Sequence, residues 1–178
     1  MSRLALPLSQ TWHALTLSVL LLTTACAGEP DSSSARTSAA SDAAAAVSTS
    51  SLPLIVVHKT PTCGCCSLWV EHLQAAGFTV DVRDSDDLSP VKLRLGVPPG
   101  KGACHTAEVD GYLVEGHVPV ADILRLLNER PKARGLLLPG MPLGSPGMEM
   151  PDGRIQPYTV ELLAEDGSTS PLQHHGQQ

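Results

Sequence analysis

The sequence predicts an α/β domain with a mixed central sheet and flanking helices, followed by an extension rich in Pro, Gly and Met. Three observations carry that prediction. The β-branched run from Leu54 to Val57 leads through a cysteine turn into a helically spaced stretch. A second short alternating run follows that helix and completes a strand–helix–strand unit. Further on, Asp110-Gly111 separates two short alternating runs, a strong hairpin signal.

The elements follow in order. "LPLIVVHK" is short enough for a buried strand. "CSLWVEHLQAAG" has helical spacing, with Leu68, Trp69, Leu73 and Ala76 expected on one broad face and Gly77 as the stop. "FTVDVRD" points Phe78, Val80 and Val82 inward as a second strand, and two strands joined through a helix pair in parallel by a right-handed crossover. "DVRDSDD" reads as a solvated turn with helix-capping Asp residues. Ser89-Pro90 starts a second helix running to about Leu95, Pro being favoured in a first turn. "HTAEVDGYLVEG" supplies the hairpin. Pro119 opens a third helix, with Ile123, Leu124 and Leu127 expected toward the core and Pro131 beyond its end. From Gly135 onward one further strand is expected, over Pro157 to Leu163, and the last residues, including His174 and His175, read as frayed. The order β-α-β-α-β-β-α, with C-x-x-C between the first strand and first helix, matches a thioredoxin-like domain.

Composition narrows the function classes. The 178-residue chain carries a formal net charge of −6 and no Lys/Arg run, which argues against a nucleic-acid surface. Aromatics are only 3%, so Leu, Val, Ile and Ala must fill a core of roughly 100–115 residues. Arg3 followed by the apolar run "ALTLSVLLL" (Ala14 to Leu22) reads as an export signal, shorter than the ~20 residues that span a bilayer. "TTAC" resembles a lipoprotein box ending at Cys26, although Thr23 stands where Leu is usual, and Ala25-Cys26-Ala27 also fits ordinary signal cleavage. The expected organisation is an export signal of lipoprotein type over 1–26, a disordered Ser/Ala-rich tether over 27–52, the folded domain over 53–165 and a flexible tail over 166–178. With Cys26 lipidated, the domain is tethered to a membrane, in an oxidising compartment outside the cytoplasm.

The chemistry concentrates in "TPTCGCC", Thr60 to Cys66. Cys63 and Cys66 have redox-pair spacing, and a helix starting near Cys63 favours its thiolate through unpaired N–H groups and the dipole. Gly64 is expected to allow a tight turn and leave room above the thiols. Cys65 is an extra thiol, pointing away from its neighbour Cys66. "ACHTAEV" places Cys104 and His105 just before the third strand, where a thioredoxin-like fold faces its C-x-x-C. Four sulfurs and an imidazole suit Cu(I) held on bridging thiolates, in a multinuclear site. Zinc is the rival metal, though vicinal Cys65 and Cys66 share one tetrahedral ion poorly. Met141, Met148 and Met150 lie in one Pro/Gly loop, and Met148 is the thioether expected to close over the cysteines. His117, in "EGHVP", faces either the site or solvent. His72 reads as a hydrogen-bonded helix residue and Trp69 as core beside Cys66. Two readings stay open beside copper binding. One is a thiol–disulfide oxidoreductase in which Cys63 attacks and Cys66 resolves; the other is a domain stapled by zinc or a disulfide.

Together, "KTPTCGCCSLWVEHL", "GVPPGKGACHTAEVDGYLVEGHVP" and "LLLPGMPLGSPGMEM" resemble the periplasmic CopG-type copper-resistance family. The resemblance implies a thioredoxin-like fold that gathers copper on Cys63, Cys65, Cys66 and Cys104, with His105, His117 and Met148 as participants. It implies copper ions as cargo and copper-export or chaperone proteins as partners. A periplasmic copper-resistance role, with or without interconversion of Cu(I) and Cu(II), is the resulting expectation.

Overall fold

The computed structural model describes residues 51–176. The export signal expected over 1–26, with Cys26, and the tether up to residue 50 lie outside the described residues. No helix of the described residues is long and apolar enough to cross a membrane.

The elements run β1 (Ile55–Lys59), α1 (Gly64–Ala75), β2 (Val80–Asp84), α2 (Ser89–Leu95), β3 (His105–Val109), β4 (Tyr112–Glu115), α3 (Val120–Glu129), β5 (Ala133–Leu137), β6 (Tyr158–Ala164) and β7 (Thr169–His175). One seven-stranded mixed sheet contains all the strands of the described residues, in the order β2-β1-β3-β4-β5-β6-β7. The helix-linked pairs β1/β2 and β4/β5 are parallel, and the other neighbours are antiparallel. Strand alternation sorts side chains onto two faces. On one, Ile55, Val57, Ala107, Val109, Val114, Leu136 and Val160 meet Trp69, Val70 and Leu73 of α1 and Ile123 and Leu126 of α3. On the other, Leu113, Leu137 and Leu163 pack with Leu95 and Val97 at the end of α2. Helix α2 buries no residue of its own; Lys92 and Arg94 tie it to the sheet through Glu115 and Glu108.

The structure revises several expectations in phase. Helix α1 buries Cys66, Trp69, Val70 and Leu73, an i, i+3, i+4, i+7 stripe, and leaves Leu68 and Ala76 exposed. Helix α3 buries Asp122, Ile123 and Leu126 and turns Leu124 outward. The buried stripe is set by Ile123 and Leu126, which pack into the main core with Leu127 beside them, and it carries Asp122 inward, where His175 Nε2 lies 2.7 Å from its Oδ2. Val82 is exposed because β2 is an edge strand.

Two strands escaped the sequence reading. Residues 133–137 form β5, disguised by Gly135 and by Pro131 and Pro139 on either side. Residues 169–175, read as part of a frayed end, form the edge strand β7. His174 Nδ1 meets the Thr159 hydroxyl at 2.8 Å, and His175 stacks on Tyr158 with centroids 4.9 Å apart. The β6 strand falls where expected, within one residue at each end.

Candidate metal centre

Helix α1 begins at Gly64, with Cys63 as a cap residue in extended conformation. The cysteine turn therefore sits at the dipole-positive end of a twelve-residue helix. Gly64 does not need its special freedom, since its φ is not positive; a Cβ there would meet nothing within 4 Å, so the space above the turn is open.

Cys63 and Cys66 are joined as a disulfide, with Cα atoms 5.4 Å apart, while Cys65 and Cys104 are free. Cys66 is fully buried. Cys65 Sγ stands 3.6 Å from Cys63 Sγ, and Cys104 Sγ stands 3.2 Å from Cys66 Sγ. The ladder register explains the meeting: β3 pairs with β1, His105 opposite Lys59, which brings the start of β3 to the end of β1 where the cysteine turn begins.

Two imidazoles close in on Cys104. His117 Nε2 lies 3.1 Å from its sulfur and His105 Nδ1 3.4 Å. His117 Nδ1 is 2.8 Å from the Pro146 carbonyl, which can only accept, so Nδ1 carries the proton and Nε2 turns its lone pair toward Cys104. Both rings are wholly buried and edge-to-face, with centroids 4.7 Å apart. Trp69 covers His105 with centroids 4.3 Å apart and donates Nε1–H to the Val118 carbonyl at 2.9 Å. His105 Nε2 is buried with no hydrogen-bond partner among the described residues.

Burial sets the protonation states. It pushes the Cys104 thiol up to about 12, the neighbouring Cys65 adding to the rise and the Lys92 cation opposing it. It pushes His105 down to about 3, helped by His117 and Lys92. His117 is lowered by burial too, against the pull of the Pro146 carbonyl. Without a bound cation the pocket therefore holds a neutral thiol and neutral imidazoles. A soft cation would reverse that preference, because its charge stabilises thiolate and it takes lone pairs from neutral rings.

The segment after β5 forms a strap across the first turns of α1. Gly147, at φ +84°, lies so close that a Cβ would sit 2.6 Å from the Cys65 carbonyl oxygen and 2.9 Å from the Trp69 nitrogen. Glu149 accepts the Gly147 N–H at 2.9 Å and pairs with His72 Nε2 at 2.7 Å, so His72 is a strap anchor. One strap sulfur, that of Met141, lies 4.0 Å from Cys65 Sγ; the thioether the sequence pointed to is Met148. Met148 is half-buried and shapes the strap through its backbone, donating to the Ser145 carbonyl and accepting from Gly144. Met141 was hidden because all three methionines of the loop look alike in sequence.

Among the described residues two overlapping groups could hold metal: Cys63, Cys65, Cys66 and Cys104, and Cys104, His105 and His117, each with ligand atoms within 4.8 Å of one another. The first group offers four thiols only once the disulfide is reduced. Sulfur and imidazole donors, with no carboxylate in either group, fit a soft or borderline cation and not a hard one.

Residues 101–148, which include Cys104, His105, His117 and most of the strap, match the family described as "Protein of unknown function, DUF411". No curated protein matches the chain. Two solved structures are similar over nearly their whole length. "Copper resistance protein copG- Form 2" is 49% identical with TM-score 0.66, covering 70% of this chain and 98% of that one. "Copper resistance protein copG- Form 1" is 49% identical with TM-score 0.67, covering 71% and 99%. At that identity and coverage, the chain belongs to the CopG copper-resistance family.

Proposed function

We propose that this protein binds copper for periplasmic copper resistance, holding Cu(I) as cargo on thiolates of Cys63, Cys65, Cys66 and Cys104. The observation that carries the reading is the convergence of these four sulfurs, with His105 and His117 on Cys104. Four thiolates with Cys104 shared between both groups suit a multinuclear Cu(I) site on bridging sulfurs. The strap contributes a thioether, Met141 on the present geometry and Met148 as the alternative. The strand–C-x-x-C–helix–strand order supports a thioredoxin-like frame, with β5 to β7 and the strap as its C-terminal extension. Export through residues 1–26, lipidation of Cys26 and a tether over 27–52 belong to the same proposal, as do copper-export or chaperone proteins as recipients.

The disulfide adds a redox capability. Reduced Cys63 and Cys66 can give one electron to each of two Cu(II) ions as their S–S bond forms, releasing two protons to water. A later two-electron, two-proton reduction by an external thiol would restore the binding form. The same disulfide favours, as a second reading, thiol–disulfide exchange by Cys63 and Cys66. That chemistry uses neither Cys65 nor the Cys104–His117 contact, which is why copper ranks first.

Anaerobic titration of the reduced protein with Cu(I), against a competing chelator, tests the reading. Retention of more than one copper, falling to one or fewer on replacing Cys65 or Cys104, is the expected result. No copper retained under mild competition, with disulfide reductase activity that survives loss of Cys104, would instead establish the exchange reading.

A further inference from the structure

A charge pair that the copper reading does not use lies on the α2 face of the sheet, behind the sulfurs. Glu115, the last residue of β4, is wholly buried, and both its oxygens are committed. Oε1 accepts the Ala103 N–H at 2.6 Å and pairs with Lys92 Nζ, which reaches in from α2. Oε2 accepts the Thr106 hydroxyl at 2.6 Å, and that hydroxyl accepts from Lys92 Nζ at 2.7 Å. Ala103 and Thr106 flank Cys104 and His105, so one carboxylate grips the chain on both sides of that pair. The main chain closes the same clamp: Thr106 and Glu115 are register partners, and the Gly116 N–H donates to the His105 carbonyl at 3.1 Å. Two residues past Glu115, His117 presents Nε2 to Cys104.

A buried carboxylate is a costly way merely to pack a strand end, since the ion must give up its hydration. A negative charge close to thiols also opposes the anionic sulfur that a metal needs. Lys92 answers both objections, because its ammonium neutralises Glu115 while favouring thiolate at Cys104. What remains is a triangle of hydrogen-bonded side chains, Glu115, Lys92 and Thr106, whose contacts to Ala103 and Thr106 bracket Cys104 and His105.

We propose that Glu115, neutralised by Lys92, is the positioning residue of this site: it fixes Cys104 and His105 against the Cys63–Cys66 turn and thereby sets copper affinity without touching the metal. This rests on the copper reading above. Supporting hydrogen bonds around metal ligands are typically worth about 10–100-fold in affinity.

Cu(I) competition on the reduced protein, combined with amide exchange on the copper-free protein, tests it. Glu115→Gln is expected to weaken Cu(I) binding about 10–100-fold. In a Cys104→Ser background, where only His105 is left to position, the same substitution weakens the residual Cu(I) binding by at least about 3-fold less than it does in the wild type. Without copper, Glu115→Gln speeds exchange of the Ala103 amide at least about 10-fold while β1 amides keep their protection. Should Glu115→Gln not fold, Thr106→Val decides, with an expected loss of about 3–10-fold. A folded variant that binds copper like the wild type, or that loses as much without the Cys104 thiol as with it, overturns the positioning role alone. A wild-type protein that retains no Cu(I) overturns the copper reading and this inference with it.

Discussion

Replacing Gly147 by Ala should unseat the strap from helix α1. The residue holds φ +84°, which costs an L-residue about 1–2 kcal/mol. Its new Cβ would sit 2.6 Å from the Cys65 carbonyl oxygen, about 0.8 Å inside ordinary contact. Neither that carbonyl nor the Trp69 nitrogen can withdraw, since both belong to the backbone of α1. The strap must therefore lift, weakening the His117–Pro146 hydrogen bond, worth about 1 kcal/mol. Together these give a loss of roughly 2–4 kcal/mol, large for one methyl group. For a folded body of this size that corresponds to about 8–15 °C in Tm. Urea unfolding of the copper-free protein measures it, with Gly153→Ala as control: also at positive φ, but with nothing within 4 Å of its Cβ. If Gly147→Ala falls within about 0.5 kcal/mol of that control, the close approach of the strap to α1 is refuted.

Two further outcomes follow from burial. His105 is held neutral, down to about 3 from 6.5, so the unfolded chain binds more protons in between and stability falls as pH drops through that window. Denaturant unfolding near pH 7 and near pH 5, above the main carboxylate range, should differ by about 2 kcal/mol, and a flat profile would contradict a neutral buried ring. On α3, Leu126→Ala should cost about 2–4 kcal/mol and Leu124→Ala less than about 1, measured by thermal unfolding; equal losses would contradict the helix phase seen here.

Much of the site was legible in the sequence because its signals are local. A β-branched strand, a cysteine turn and an amphipathic helix follow one another within about twenty residues, and Asp110-Gly111 marks its hairpin directly. The soft donor set of Cys63, Cys65, Cys66, Cys104, His105 and His117 could be named from residue type. What the linear pattern could not supply was phase and partnership. Leu124 and Leu126 are equally apolar, and only packing against strands far away in the chain decides that Leu126 is buried and Leu124 turned outward. Strand β7, "TSPLQHH", has little strand propensity and exists because β6 offers it an edge to pair with.

Sequence alone determined the chemistry available to this protein: how many sulfurs and imidazoles it can bring to a soft cation. Tertiary structure decided which of them meet. The β1–β3 register carries Cys104 to Cys66, the strap delivers Met141 to Cys65, and Glu115 with Lys92 brackets the Cys104–His105 corner from the opposite face of the sheet. The physical reason is range. Side-chain type and local periodicity are written in neighbouring residues, whereas register, burial and close approach are set by contacts between segments far apart in the chain.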